Sequence, residues 1–140
     1  VYFEDTDAGG VVYHATYLRY AERARTEFLR AAGVPHHELM TGEGLVFVVR
    51  SAAVEYLRPA RLDDSLLVVT RVAGLGRASV MLDQLVRAGD ATLASMRIGL
   101  VCTDLAAGKA RKIPARWRDM FAALLDGEEG AGTKAPRKEF

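Results

Sequence analysis

Between Thr92 and Thr103 the chain alternates. Ala94, Met96, Ile98, Leu100 and Cys102 fall on one side of an extended backbone, and Ser95, Arg97, Gly99 and Thr103 on the other. A period of two marks a strand with one buried face. Leu66 to Val72 repeats the pattern through Leu66, Val68, Thr70 and Val72, and Ser79 to Arg87 reads as another strand. Leu45 to Arg58, rich in valine and aromatics, is a longer strand whose alternation slips between Arg50 and Ala53, as at a bulge. Gly74 with Gly76, and Gly89 with Asp90, mark the turns between these runs. The period differs from about His14 to Ala32. There Tyr17, Ala21, Ala24, Phe28 and Ala31 recur at spacings of three and four, with Arg19, Glu22, Arg23, Glu27 and Arg30 on the opposite side. That is an amphipathic helix, with Arg23 and Glu27 spaced to pair, and Gly33 followed by Pro35 ends it. Val1 to Glu4 reads as the end of a strand, broken by Ala8, Gly9 and Gly10. Pro114 is suited to opening a short helix with Trp117, Phe121, Leu124 and Leu125 on its buried side.

The order is strand, long helix, then four strands joined by tight turns, with no internal repeat. A helix of about five turns with no helical partner of its own length must bury its stripe against the sheet. Short connections make that sheet largely antiparallel, so the fold class is α+β. A second copy of the chain is the economical cover for the remaining edges.

The chain has 140 residues, of a size for one domain. Residues 1–126 form that domain. Residues 127–140 are Gly, Glu, Lys and Arg with little apolar content, and are expected to be a disordered tail. Nineteen basic against 18 acidic residues leave a net charge of +1, which argues against a protein built to hold a nucleic-acid backbone. Cys102 is the single cysteine, so no intramolecular disulfide forms, in keeping with a reducing compartment. No apolar run approaches the length of a transmembrane segment. The sequence opens at Val1 within strand-like residues, and the native N-terminus is expected to lie upstream.

Candidate chemistry concentrates in one short block, Asp5-Thr-Asp-Ala-Gly-Gly-Val-Val-Tyr-His14. Asp7 supplies a carboxylate. The glycine pair lets backbone approach a ligand closely. The helix that starts near His14 presents N–H groups without intrahelical partners and the positive end of its dipole, a combination that stabilises an oxygen becoming negative in ester or thioester cleavage. The same dipole favours an ionised Asp7, as a nucleophile or a water-activating base requires. From the residues alone the competing account stands: Asp5 and Asp7 are also good helix-entry caps, and His14 can be an ordinary surface or packed side chain.

The stretch from Val1 to Arg30, together with Phe47-Val-Val-Arg-Ser-Ala-Ala-Val-Glu-Tyr-Leu-Arg-Pro-Ala-Arg-Leu-Asp-Asp64, closely resembles the YbgC-type acyl-CoA thioesterases, relatives of 4-hydroxybenzoyl-CoA thioesterase. The likeness runs to about Trp117. It implies a hotdog fold, a long helix wrapped by a curved antiparallel sheet of about five strands. It further implies a homodimer joined edge to edge and assembling to a homotetramer in the cytoplasm, and hydrolysis of an acyl-CoA or acyl-carrier-protein thioester without metal or cofactor. The second acid of the block, Asp7, takes the catalytic role there, with His14 beside the helix N–H that polarises the carbonyl. Tyr13 shapes the acyl pocket, and Gly10 and Val11 are the substrate-binding backbone. Coenzyme A carries phosphates, and the resemblance makes Arg77, Lys109, Arg111 and Lys112 the candidate phosphate contacts. The chain departs from the 4-hydroxybenzoyl branch, which has Pro-Ala-Gly at Ala8-Gly9-Gly10 and no histidine at position 14. Two alternatives remain open: a non-catalytic acyl-thioester or envelope-complex protein associated with the Tol-Pal system, and a hotdog hydratase or dehydratase, whose usual Asn-Pro is Ala8-Gly9 here.

Overall fold

The structure, a computed structural model, describes residues 14–31, 33, 44–61, 63–126, 133–134 and 138–139. Its elements are α1 (His14–Ala31), β1 (Leu45–Tyr56), β2 (Ser65–Leu75), β3 (Ser79–Ala88), β4 (Ala91–Asp104), β5 (Lys109–Ala110), α2 (Ala115–Asp126), β6 (Thr133–Lys134) and β7 (Lys138–Glu139). The strand expected at Val1–Glu4 lies outside the described residues. The long strands lie in the order β1-β4-β3-β2, and every pairing among the described residues is antiparallel. β5 pairs with the end of β4, and β6 and β7 run antiparallel to β2. Those two pairs are the described part of the stretch expected as a tail; the rest of it lies outside the described residues.

One face of the sheet carries the core. Leu66, Val68 and Val72 of β2, Val80, Leu82 and Val86 of β3, and Ala94, Met96, Ile98, Leu100 and Cys102 of β4 are buried against Tyr17, Tyr20, Ala21, Ala24, Phe28 and Leu29 of α1. Ala31, expected in the helix stripe, is exposed. The buried arc drifts around α1, from Thr16 and Tyr20 in the first turns to Arg25 and Leu29 in the later ones, as a helix crossing twisted strands requires. Ala31 falls off the trailing side of that arc. Gly33 then takes a left-handed φ of 86°, and its N–H donates to the Arg30 carbonyl at 3.1 Å. Any Cβ there would lie 2.9 Å from Met120 Cε of α2.

Pro114 does open the second helix: its carbonyl accepts from the N–H groups of Trp117 and Arg118 at 3.0 and 2.9 Å. Trp117 and Phe121 are buried, with Phe121 edge-on to Phe47 at 5.7 Å. Leu124 is half-buried, but Leu125, assigned to the same face, is 37 % exposed. It sits about 80° around the helix from Trp117, past the edge of the core-facing arc.

Two bulges shape the opposite face. The β1–β4 register shifts between Val49 and Ser51, leaving Arg50 as the extra residue within the predicted slip. The β2–β3 register shifts between Val72 and Gly74. Gly74 is therefore a strand residue opposite Met81, and the turn starts later, where the Gly76 N–H donates to the Ser79 carbonyl at 2.8 Å. Between the bulges Ser51, Gly99, Met81 and Gly74 form one row across four strands. They floor a cavity of about 340 Å³ that Arg50 and Gly76 also line. Gly99, expected on an open polar face, is buried under the Ser51 hydroxyl. The next outward row carries an ion-pair ladder. Arg97 grips Asp83 through two bonds of 2.8 and 3.0 Å, and Arg71 approaches the same carboxylate at 3.7 Å.

Candidate functional site

The start of α1 is at His14, as its sequence predicts, and the helix has no acidic residue in its first turn. The N–H groups of that turn have no intrahelical acceptors, and the positive end of the helix dipole meets no carboxylate from the helix's own first turn. Asp7, Gly10, Val11 and Tyr13 lie outside the described residues. His14 is described as the first helical residue, without its side-chain surroundings.

What fixes this end of the helix is described. Tyr17, one turn in from His14, is 3 % exposed. Its hydroxyl accepts the Ala60 N–H at 2.7 Å and points at the Arg58 carbonyl at 3.5 Å. Its ring meets Tyr56 edge-on at 5.4 Å and Tyr20 at 6.3 Å. Burial pushes the Tyr17 phenol above its ordinary pKa, against the Ala60 bond that lowers it. The hydroxyl therefore stays neutral and serves as acceptor and donor together. The sign of the shift leaves its contribution to stability whole below the ordinary value of 10.0, to be lost as pH rises through the higher folded value. Arg58 to Arg61 and Asp63 to Asp64 thus lie on the crossover from β1 to β2, pinned to the first turns of α1 at Arg58 and Ala60. Leu57 and Arg58 N–H groups share the Leu93 carbonyl at 2.8 and 3.1 Å. At its far end the Arg61 N–H donates to Asp64 Oδ2 at 2.8 Å, and Asp63 takes a left-handed φ of 72°. Tyr17→Phe keeps the ring and strands the Ala60 N–H, so a loss of about 1–3 kcal/mol in unfolding free energy is expected. Urea titration checks it; an unchanged midpoint would mean water replaces the hydroxyl.

Further along α1, Arg25 is 9 % exposed. Its Nη1 donates to Gln84 Oε1 at 3.0 Å, and Gln84 Nε2 donates to the Ala21 carbonyl and to Thr70 Oγ1, both at 3.0 Å. Burial lowers the Arg25 pKa, partly offset by the charge of Glu22, from so high an ordinary value that the guanidinium stays charged at neutral pH. Sequence reasoning did not single out this bridge. Its signal was present: Arg25 falls within the apolar arc of α1, and Gln84 sits in core phase between Leu82 and Val86.

The phosphate candidates gather at one end of the sheet. The Ile113 N–H donates to the Arg77 carbonyl at 3.1 Å, so the β2–β3 turn and the segment before α2 are in contact. The Arg111 N–H donates to the Cys102 carbonyl at 2.8 Å, and its guanidinium lies 3.0 Å from Asp104. The N–H groups of Ala107 and Ala106, with Arg111, hold the Asp104 carboxyl below the usual carboxylate range. Arg111 is therefore partly neutralised, while Lys109 and Lys112 are exposed beside it. Arg118, which sequence reasoning missed, joins them by donating from Nη1 to the Gly76 carbonyl. Among the described residues no helix is long and apolar enough to cross a membrane.

Comparison with known proteins bears on the fold and the family. A family model described as the thioesterase-like superfamily matches residues 1–125. The acyl-CoA thioesterase YbgC of Haemophilus influenzae is 40 % identical over 124 residues, covering 89 % of this chain and 91 % of that protein. The acyl-CoA thioester hydrolase YbgC of Escherichia coli is 45 % identical over 115 residues, covering 81 % and 85 %. A crystal structure titled as a probable thioesterase from Bartonella henselae superposes with a TM-score of 0.77 at 39 % identity, over 81 % of this chain and 94 % of that one. The helix on an antiparallel sheet is thus the hotdog architecture, and the chain belongs to the thioesterase-like superfamily, within its YbgC-type branch.

Proposed function

We propose that this protein hydrolyses an acyl-CoA thioester to the free acid and coenzyme A. The observation that carries the reading is the start of α1 at His14, the residue that closes the Asp5–His14 block in the sequence. The first turns of that helix are locked to the β1–β2 crossover by Tyr17. The names of the relatives support hydrolysis over the hydratase and non-catalytic alternatives.

The N–H groups at the start of α1 polarise the thioester carbonyl as its oxygen becomes negative. Asp7 acts on the carbonyl carbon in one of two ways. As nucleophile it forms a mixed anhydride and expels the coenzyme A thiolate, and water then opens the anhydride. As base it takes a proton from the attacking water, and the thiolate leaves from the tetrahedral intermediate. His14 orients the thioester or carries the proton to the leaving sulfur. Gly10 and Val11 offer backbone to the substrate, and Tyr13 bounds the acyl group. Arg77, Lys109, Arg111 and Lys112 meet the phosphates.

The same reading makes the working unit a cytoplasmic homodimer paired into a homotetramer. Support for the dimer comes from β1. Beyond Phe47 the strand is exposed on both faces apart from Val54, its outer edge has no partner strand among the described residues, and Val48, Val49 and Tyr56 are 42–49 % exposed. An apolar edge strand of that length is normally covered. A panel of acyl-CoA and acyl-carrier-protein thioesters, with free thiol followed by a chromogenic reagent, tests the function. Thiol release from at least one acyl-CoA is expected, and no release from any thioester would overturn the proposal.

A further inference from the structure

We infer that Arg118 is a positioning residue for coenzyme A binding: it holds the β2–β3 turn so that Arg77 is presented to the phosphates. The inference rests on the proposed phosphate role of Arg77 and goes beyond it. The turn is intrinsically soft. It follows a bulge and contains Gly76, where a Cβ would collide with the Ser79 hydroxyl. Glycine so close to the turn leaves more backbone freedom to be removed. Three successive carbonyls are nevertheless each taken by a donor from a different part of the fold. Gly76 accepts from Arg118 Nη1 of α2, Arg77 from the Ile113 N–H, and Ala78 from the Cys102 N–H of β4 at 2.8 Å.

Of these donors only Arg118 is a side chain, and it reaches 42 residues back along the sequence. A charged donor on a carbonyl is among the stronger hydrogen bonds. The bond ties the first turn of α2, seated in the core through Trp117, to the residue just before Arg77. Arg77 itself is exposed at the tip. The fixed backbone confines where its guanidinium can go, and less ordering remains to be done when a phosphate arrives.

A residue that acts through Arg77 should matter only when phosphates are present, and should add nothing once Arg77 is gone. Steady-state kinetics of Arg118→Met, Arg77→Met and the double variant test this on two substrates with the same acyl group. One is the acyl-CoA; the other is the acyl-N-acetylcysteamine thioester, which has no phosphate. Arg118→Met is expected to raise KM for the acyl-CoA about three- to tenfold with kcat within about twofold, and to leave kcat/KM for the truncated thioester within about twofold. The double variant is expected to match Arg77→Met alone. If Arg77→Met raises KM and Arg118→Met does not, the inference is wrong while the phosphate role stands. Equal losses on both substrates would reduce Arg118 to a structural residue. Losses that add in the double variant would mean that Arg118 meets the ligand independently. If Arg77→Met leaves KM unchanged, the phosphate role of Arg77 fails and takes the inference with it. Should the methionine variant not fold, Arg118→Gln carries the same expectations.

Discussion

Asp7→Asn is expected to lower kcat for acyl-CoA hydrolysis by about 10²- to 10⁴-fold, the usual range for losing a positioned acid–base group. The substitution keeps the side-chain shape and its capacity to cap backbone N–H groups, and removes the charge and the basic oxygen. That separates the two accounts of the block. If Asp7 only caps the entry to α1, an amide caps nearly as well, so activity and melting temperature both stay close to wild type. If it attacks carbonyl carbon or activates water, the amide can do neither, and kcat falls while the melting temperature holds. KM is expected to change little, because the loss is confined to the transition state. Thiol release measured at saturating acyl-CoA, beside circular dichroism of the same preparation, decides it. Turnover near wild type would remove Asp7 from the chemistry.

Gln84→Leu is expected to be the most damaging of the isosteric core changes, destabilising the fold by about 2–4 kcal/mol, because it leaves a buried guanidinium without its acceptor. In the native chain Gln84 accepts from Arg25 and donates to Thr70 and to the Ala21 carbonyl, all at 3.0 Å. Leucine fills similar space and satisfies none of them. The companion substitution Arg25→Met, made in the Gln84→Leu background, is expected to recover most of the loss, since an apolar pair of similar volume replaces a charged one at little net cost. Chemical denaturation of the two single variants and the double measures the coupling. Purely additive losses would mean that water already solvates Arg25. The bridge joins α1 to β2 and β3 midway along the helix, so the variant also tests how firmly the proposed catalytic tip is seated.

Much of the architecture was legible because it depends on local periodicity. The alternation of β4, the slip around Arg50, the glycine stop after α1 and the proline start of α2 each arise from a few neighbouring residues. The misassigned residues share a cause. Ala31 and Leu125 have the right period but lie where the helix leaves the surface it packs on. Gly74 looks like a turn residue and is a strand residue, because a bulge opposite Met81 delays the reversal. The site divides in the same way. The acid, the glycine pair and the helix start could be named from one short stretch. The Tyr17 bond to Ala60 and the Arg118 bond to Gly76 span 43 and 42 residues and have no local signature.

The amino-acid order by itself determined the two helices, the four long strands, the core-facing sides of those strands and the block that precedes α1, since hydrophobic period and turn chemistry act over a few residues. Only the tertiary structure decided what holds those pieces in place. It put a tyrosine hydroxyl on the crossover, a glutamine amide between helix and sheet, and an arginine fork on the turn that carries Arg77. Such bonds form between groups that are distant in the chain, and a hydrogen bond is decided by where its two atoms end up in space.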